Sequence, residues 1–320
     1  MTNNIDYNRM QYLDTASGIL LLHMICYHCW QWAELPPDAI WLRILSFFMP
    51  WFFFKSGMFY KNQSADKVIK KCFRKLIIPF LIFSIIGEIF DIIRILSIGA
   101  QWNIISGIKT IIGSLLKTGA IFGNYPLWFL PSLFAVRIIY NCLNKTKRHE
   151  SLWLLLIIPI LLFYTVKIAH IELPYYLYNV PTGLMFYMLG DKLRHIRLSN
   201  IILISIVTLY LISVIFCPQM VDMRSNKLLS GTYIGWIFMS VLGIMSINEI
   251  CLRYFNNQNI FSKIGNKSMP IYCWHWVIIL IVSILIRFSV LTKVQYFMVE
   301  VSFMIICLPL FVRLQRRLGF

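Results

Sequence analysis

Apolar residues run along this chain in long blocks, separated by short polar and basic joints. Ten blocks read as membrane-crossing helices, at about 13–32, 40–60, 76–98, 125–142, 151–168, 173–190, 199–216, 229–248, 268–287 and 295–313. A helix needs roughly 20 mostly apolar residues to cross the hydrocarbon core of a bilayer. The stretch 99–124 breaks the pattern, because Gly99, Gly107, Gly113, Gly119 and Gly123 punctuate its apolar residues. It is expected as an interfacial or re-entrant segment. Residues 1–12 are polar and the first block is too long for a signal-peptide core, so no cleavable leader is expected. The predicted architecture is all-α: about ten transmembrane helices in one bundle, a single domain over 1–320, with no repeat halves.

Composition supports this. The chain has 320 residues, 59% hydrophobic and 13% charged, whereas a soluble domain carries about 45–50% apolar and about 25% charged residues. A soluble enzyme, a disordered chain and a small disulfide scaffold are excluded. The net charge of +17 would suggest nucleic acid in a soluble protein. Here the positive-inside rule accounts for it, and no nucleic-acid partner is expected; the bilayer itself is the partner. With a cytoplasmic N-terminus, 19 Lys and Arg residues fall on inner segments and 9 on outer ones, which places both termini in the cytoplasm. The eight cysteines lie mostly in or beside apolar blocks and are expected as reduced thiols.

Polar residues inside such blocks are functional candidates, because a buried charge costs several kcal/mol there. The first block is the richest, running Leu13-Asp14-Thr15-Ala16-Ser17-Gly18 and later His28-Cys29-Trp30. At 100° per residue Asp14, Ser17 and His28 share one helix face, with Ser17 and His28 about 16 Å apart along the axis. A lone membrane histidine can equally be a helix-to-helix hydrogen-bonder. Glu88 and Asp91 in the third block lie at a depth similar to His28, and a carboxylate there would orient the imidazole and raise its basicity. The other reading pairs Glu88, Asp91 and Arg94 at the membrane boundary. Lys55 interrupts an aromatic run and either snorkels to the surface or meets a ligand. His275, between Trp274 and Trp276, is either structural or part of a site. Cys26, Cys29, His23 and His28 lack the spacing and second cluster of a metal site, so no metal is expected.

Several of these segments together resemble the acyltransferase-3 family of membrane O-acyltransferases. Leu13 to Gly18 with the distal His28 is similar to the family's opening aspartate, basic residue, glycine and histidine. Phe48-Met49-Pro50-Trp51-Phe52-Phe53-Phe54-Lys55-Ser56-Gly57 resembles its second-helix signature, and Lys70 to Phe80 its basic loop before a proline. Pro126-Leu127-Trp128-Phe129-Leu130 is similar to its Trp-Phe-Leu element. Ile264-Gly265-Asn266-Lys267-Ser268-Met269-Pro270-Ile271-Tyr272 followed by His275 resembles its Gly-x-x-Ser, Tyr, His element.

The resemblance implies acyl transfer, usually of acetyl, from cytoplasmic acetyl-CoA to a hydroxyl of a glycan or glycolipid, in a multi-pass protein of the bacterial inner membrane. It implies His28 as general base, with Asp14 positioning and Glu88 orienting. Lys71, Arg74 and Lys75 would hold the polyanionic CoA head, arginine gripping phosphate bidentately and lysine as a point charge. Trp128, Tyr272 and His275 are the expected acceptor contacts. Relatives carry Arg or Lys eleven residues before the histidine, where this chain has Ser17. Lys55, at nearly the same depth, is expected to supply the missing charge. A glycan transporter or flippase, or a catalytically silent relative, are the rival readings. A homo-oligomer is compatible with the sequence.

Overall fold

A computed structural model describes residues 10–145, 154–286 and 290–317. Among these residues the chain is α-helical apart from one short hairpin. The first helix, α1 (Gln11–Trp32), leads to a short α2 (Ile40–Ile44) and α3 (Phe48–Met58). Next, α4 (Ala65–Cys72) passes through a π-helical turn at Phe73–Ile77 directly into α5 (Ile78–Ser97). Beyond α6 (Ile104–Thr118), a 3-10 segment (Phe122–Trp128) opens into α7 (Phe129–Lys145). After α8 (Leu154–Ala169), α9 (Tyr175–Leu193) and α10 (Asn200–Phe216) comes the hairpin of β1 (Met220–Asp222) and β2 (Lys227–Ser230). The chain ends with α11 (Tyr233–Tyr254), α12 (Ile260–Gly265), α13 (Ser268–Leu285) and α14 (Lys293–Arg317).

Among the described residues, five helical stretches are long and apolar enough to cross a membrane: Ala65–Ser97, Ile104–Asn144, Tyr233–Tyr254, Ser268–Leu285 and Lys293–Gln315. Leu154–Ala169 and Asn200–Phe216 are apolar but shorter. Rows of exposed Ile and Leu on α5, α10 and α14 present an apolar outer surface, as a lipid-facing bundle requires. Of the charges counted above, Arg9, Lys147, Arg148 and Arg287 lie outside the described residues, as do residues 151–153 at the start of the fifth block.

Three expectations change. The block 40–60 is broken between Ile44 and Phe48, because Pro50 has no N–H to offer the Ser46 carbonyl and is tolerated only in a first turn. The segment 99–124 holds a full helix, α6. Asn103 caps it by accepting from the N–H groups of Ile105 and Ser106 at 2.9 and 3.3 Å, and Gly119 ends it at φ +73°, a left-handed C-terminal geometry suited to glycine. The block starting at 229 opens in strand β2 instead, and its helix α11 is shifted to Tyr233–Tyr254, capped by Thr232 onto Gly235 N–H at 3.0 Å.

Two close helix contacts set the site's frame. A β-carbon at Gly18 would collide with the Phe261 carbonyl, and one at Gly265 with the Asp14 carbonyl, so α1 and α12 touch backbone to backbone. Gly57 and Gly190 do the same for α3 and α9 against the carbonyls of Tyr187 and Phe54. Small residues at membrane helix crossings permit this approach.

Candidate functional site

Ser17, Leu21, Met24 and His28 succeed one another at spacings of 4, 3 and 4 residues, so they form one stripe along α1. At the N-terminal end of that stripe the Lys55 ammonium, from α3, donates to the Ser17 hydroxyl and lies 3.8 Å from Asp14 Oδ1. Ser17 Oγ donates onward to the Leu13 carbonyl at 2.8 Å. The ammonium also stands 5.5 Å from the Trp51 ring centroid, and Trp51 Nε1 donates to Asn248 Oδ1 at 2.8 Å. The charge expected beside Ser17 is therefore in place, supplied by the neighbouring helix.

From Lys55 a cleft of about 180 Å³ follows the stripe. Leu21 and Met24 line it on α1, Phe52 on α3, Phe129 on α7, and Met269 and Tyr272 on α13. Tyr272 is held there because its hydroxyl donates to the Pro126 carbonyl. Pro126 lies in the 3-10 segment, which places the Trp-Phe-Leu element against α13. Trp128 itself is buried, edge-on to Phe129 at 6.3 Å, and Phe129 takes the cleft wall in its place.

At the other end of the stripe His28 stacks on His275, ring centroids 5.3 Å apart and planes at 28°. Trp276 meets His28 edge-on at 5.6 Å. His275 Nδ1 lies 2.6 Å from the Tyr272 carbonyl. A carbonyl only accepts, so Nδ1 carries the proton and Nε2 presents a lone pair. That Nε2 is buried and has no hydrogen-bond partner.

A sequence profile of the acyltransferase domain matches residues 10–312, nearly the whole chain. The chain belongs to the acyltransferase-3 family. No individual curated protein and no solved structure matches it. Family membership makes this a multi-pass membrane acyltransferase, and three of the motifs that carry the resemblance meet at one cleft, through Lys55, Phe129 and Tyr272. Within the acyltransferase-3 fold, Asp14, Ser17 and Lys55 form one cluster, and His28, His275 and Tyr272 a second.

Other expected residues stand apart. Glu88 accepts the Gly123 N–H at 3.0 Å; the rings packed against His28 are those of Tyr27, His275 and Trp276. Asp91 pairs with Arg94 at 2.7 Å, and Arg94 stands over Trp32 at 5.6 Å, which is the boundary pairing for those two. Lys71, Arg74 and Lys75 are exposed on α4 and the π turn, and none lines the cleft. All eight cysteines are unpaired.

Two residues went unnoticed in the sequence. Glu300, on α14, is fully buried and neither carboxylate oxygen has a hydrogen-bond partner. It is an acid within the last apolar block, which is itself a signal. Arg224 sits in the turn of the β1–β2 hairpin, where the sequence showed only a polar joint.

Proposed function

We propose that this acyltransferase-3 protein moves an acyl group, acetyl in the simplest case, from cytoplasmic acyl-CoA to a hydroxyl of a cell-surface glycan or lipid-linked saccharide at the bacterial inner membrane. The observation that carries the reading is the continuous α1 stripe. It runs about 16 Å along the axis from Ser17, where the Lys55 ammonium is held, to His28, with a narrow apolar cleft along its middle. Such a shape suits a long thin pantetheine arm.

In this reading the exposed Lys71, Arg74 and Lys75 hold the CoA phosphates at the mouth, and the Lys55 ammonium sits where the arm enters. The acceptor oxygen attacks the thioester carbonyl while His28 takes its proton. The C–S bond then breaks, the acyl group stays on the acceptor oxygen, and the imidazolium returns the proton to the leaving CoA thiolate. His275, its Nδ1–H committed to Tyr272, holds the His28 ring by stacking.

The test is thermal unfolding of the purified protein with and without acetyl-CoA, in wild type and in Lys71→Ala/Arg74→Ala. A ligand at a hundredfold excess over its Kd stabilises the fold by about 2.7 kcal/mol. A saturable rise that shrinks in the double variant is expected. No rise at millimolar acetyl-CoA would overturn the donor assignment.

A further inference from the structure

The β1–β2 hairpin brings a guanidinium to the 3-10 segment that packs against α13, the helix of His275. Arg224 lies 5.1 Å from the Tyr125 ring centroid and 5.9 Å from that of Tyr175. Tyr125 adjoins Pro126, whose carbonyl accepts from the Tyr272 hydroxyl, and Asn124, whose Nδ2 donates to the Cys273 carbonyl at 3.5 Å, two residues before His275. The backbone is pinned on both sides. Asp222 Oδ1 accepts the Arg224 N–H at 3.1 Å, and Asn179 Nδ2 donates to the Arg224 carbonyl at 3.2 Å. Asn179 is in turn fixed by the Ser132 hydroxyl at 2.8 Å. Asp222 also accepts from Ser225 Oγ at 2.6 Å, which folds the turn. The position of this arginine is therefore set by the fold before any ligand arrives.

The half-buried arginines of the described residues fall into two groups. Arg94, Arg194 and Arg253 each meet an acid three or four residues earlier on the same helix or at its end, at 2.7, 3.6 and 2.8 Å. Arg224, like Arg43 and Arg137, is half-buried with no carboxylate of the described residues within ion-pair distance, and it stands against two tyrosine rings. Asp222, the nearest acid in sequence, spends its oxygens on the turn. A partly desolvated guanidinium flanked by aromatic faces, and lacking an anion, is suited to receive one. Guanidinium binds carboxylate and phosphate through two parallel hydrogen bonds, and tyrosine rings offer flat apolar faces for a sugar.

We infer that Arg224, with Tyr125 and Tyr175, forms an acceptor subsite that reads an acidic group on the saccharide, placing a neighbouring hydroxyl at His28. This deepens the acyl-transfer reading and rests on it for the word acceptor. The acidic group is either a carboxylate of the glycan or a phosphate joining a saccharide to its lipid carrier; the shared chemistry is a bidentate oxyanion.

The test uses the full-length protein in lipid nanodiscs without acyl donor. Binding of a glucuronate-terminated disaccharide, of its glucose-terminated counterpart and of inorganic pyrophosphate is followed by tryptophan fluorescence. Wild type is expected to prefer the acidic sugar over the neutral one by about tenfold or more, as one charge-assisted bidentate contact implies. Arg224→Gln should bring that ratio to about one, and Arg224→Lys should leave it in between, since lysine keeps the charge but not the fork. Pyrophosphate that binds tighter than the uronide and displaces it assigns the phosphate source. Pyrophosphate that fails to displace it assigns the carboxylate. Equal binding of acidic and neutral sugars, a ratio unchanged in Arg224→Gln, or no binding of either acidic probe at millimolar concentration overturns the inference. If Arg224→Gln does not fold, Arg224→Lys alone decides, by whether the ratio falls. Acetyl-CoA stabilisation measured on the same samples separates the two levels. An anion preference without a donor effect leaves the subsite standing and removes the acyl-transfer reading. A donor effect without anion preference does the reverse.

Discussion

The two ends of the α1 stripe are built on opposite plans. At the Lys55 end the polar groups engage one another: ammonium to serine, serine to carbonyl, ammonium beside carboxylate, tryptophan to asparagine. At the histidine end buried polar atoms are left open: Nε2 of His275, Nε1 of Trp276 and both oxygens of Glu300 lack hydrogen-bond partners. Unsatisfied buried polar groups cost about 1–3 kcal/mol each, so a fold retains them where something else uses them. The contrast makes the Lys55 end the place to test for a fixed charge and the histidine end the place to test for a ligand.

The sharpest way to break this comparison is His28→Ala. A general base contributes about 10²–10⁴-fold, so turnover should fall by that order while the melting midpoint stays near wild type. A variant keeping most of its rate would remove the chemistry from that end. The next effect lies at the satisfied end. Lys55→Met strips Asp14 and Ser17 of their cation; a hydrogen bond to a charged group contributes about 1.5–3 kcal/mol, so KM for acetyl-CoA should rise by about tenfold or more, with kcat nearly unchanged. Ser17→Lys in that background should restore most of the loss. If Lys55→Met bound acetyl-CoA as wild type does, the charge substitution would be refuted.

Tyr272→Phe comes third. It leaves the Pro126 carbonyl unmet and should lower stability by about 1–3 kcal/mol, read as a drop in melting midpoint with His28 chemistry retained. The smallest effect concerns Glu88. Because its carboxylate holds Gly123 N–H, the double-mutant cycle of Glu88→Gln with His28→Ala should give a coupling within about 0.5 kcal/mol, the range of independent sites. A coupling of several times that size would tie Glu88 to the imidazole.

Much of the stripe was legible in advance, because helical periodicity alone aligns Asp14, Ser17 and His28. The partnership of Lys55 with Ser17 was also readable, since equal depth on adjacent helices is a one-dimensional estimate. Contacts that depend on helix rotation were not. Glu88 shares its depth with His28, yet α5 turns it toward the backbone at Gly123. The stacking of His275 on His28 depends on how α13 lies against α1, which no spacing within either helix encodes. Arg224 was hidden for another reason: a polar joint between apolar blocks gives no sign that it folds back as a hairpin over the bundle. The helix α6 was obscured by its glycines. Of these only Gly119 ends the helix, while Gly107 and Gly113 lie within it.

The π turn at Phe73–Ile77 has a consequence for engineering. Such a turn accommodates one residue more than a regular α-helix, and each residue turns the chain by about 100°. Deleting a single residue there would let α4 and α5 run through as an ordinary helix. Because the wider turn absorbs the extra residue, the basic surface of Lys67, Lys70 and Lys71 would keep its direction relative to Asp91 and the rest of α5. This short segment thus tolerates the loss of one residue while the charged face stays fixed against the bundle.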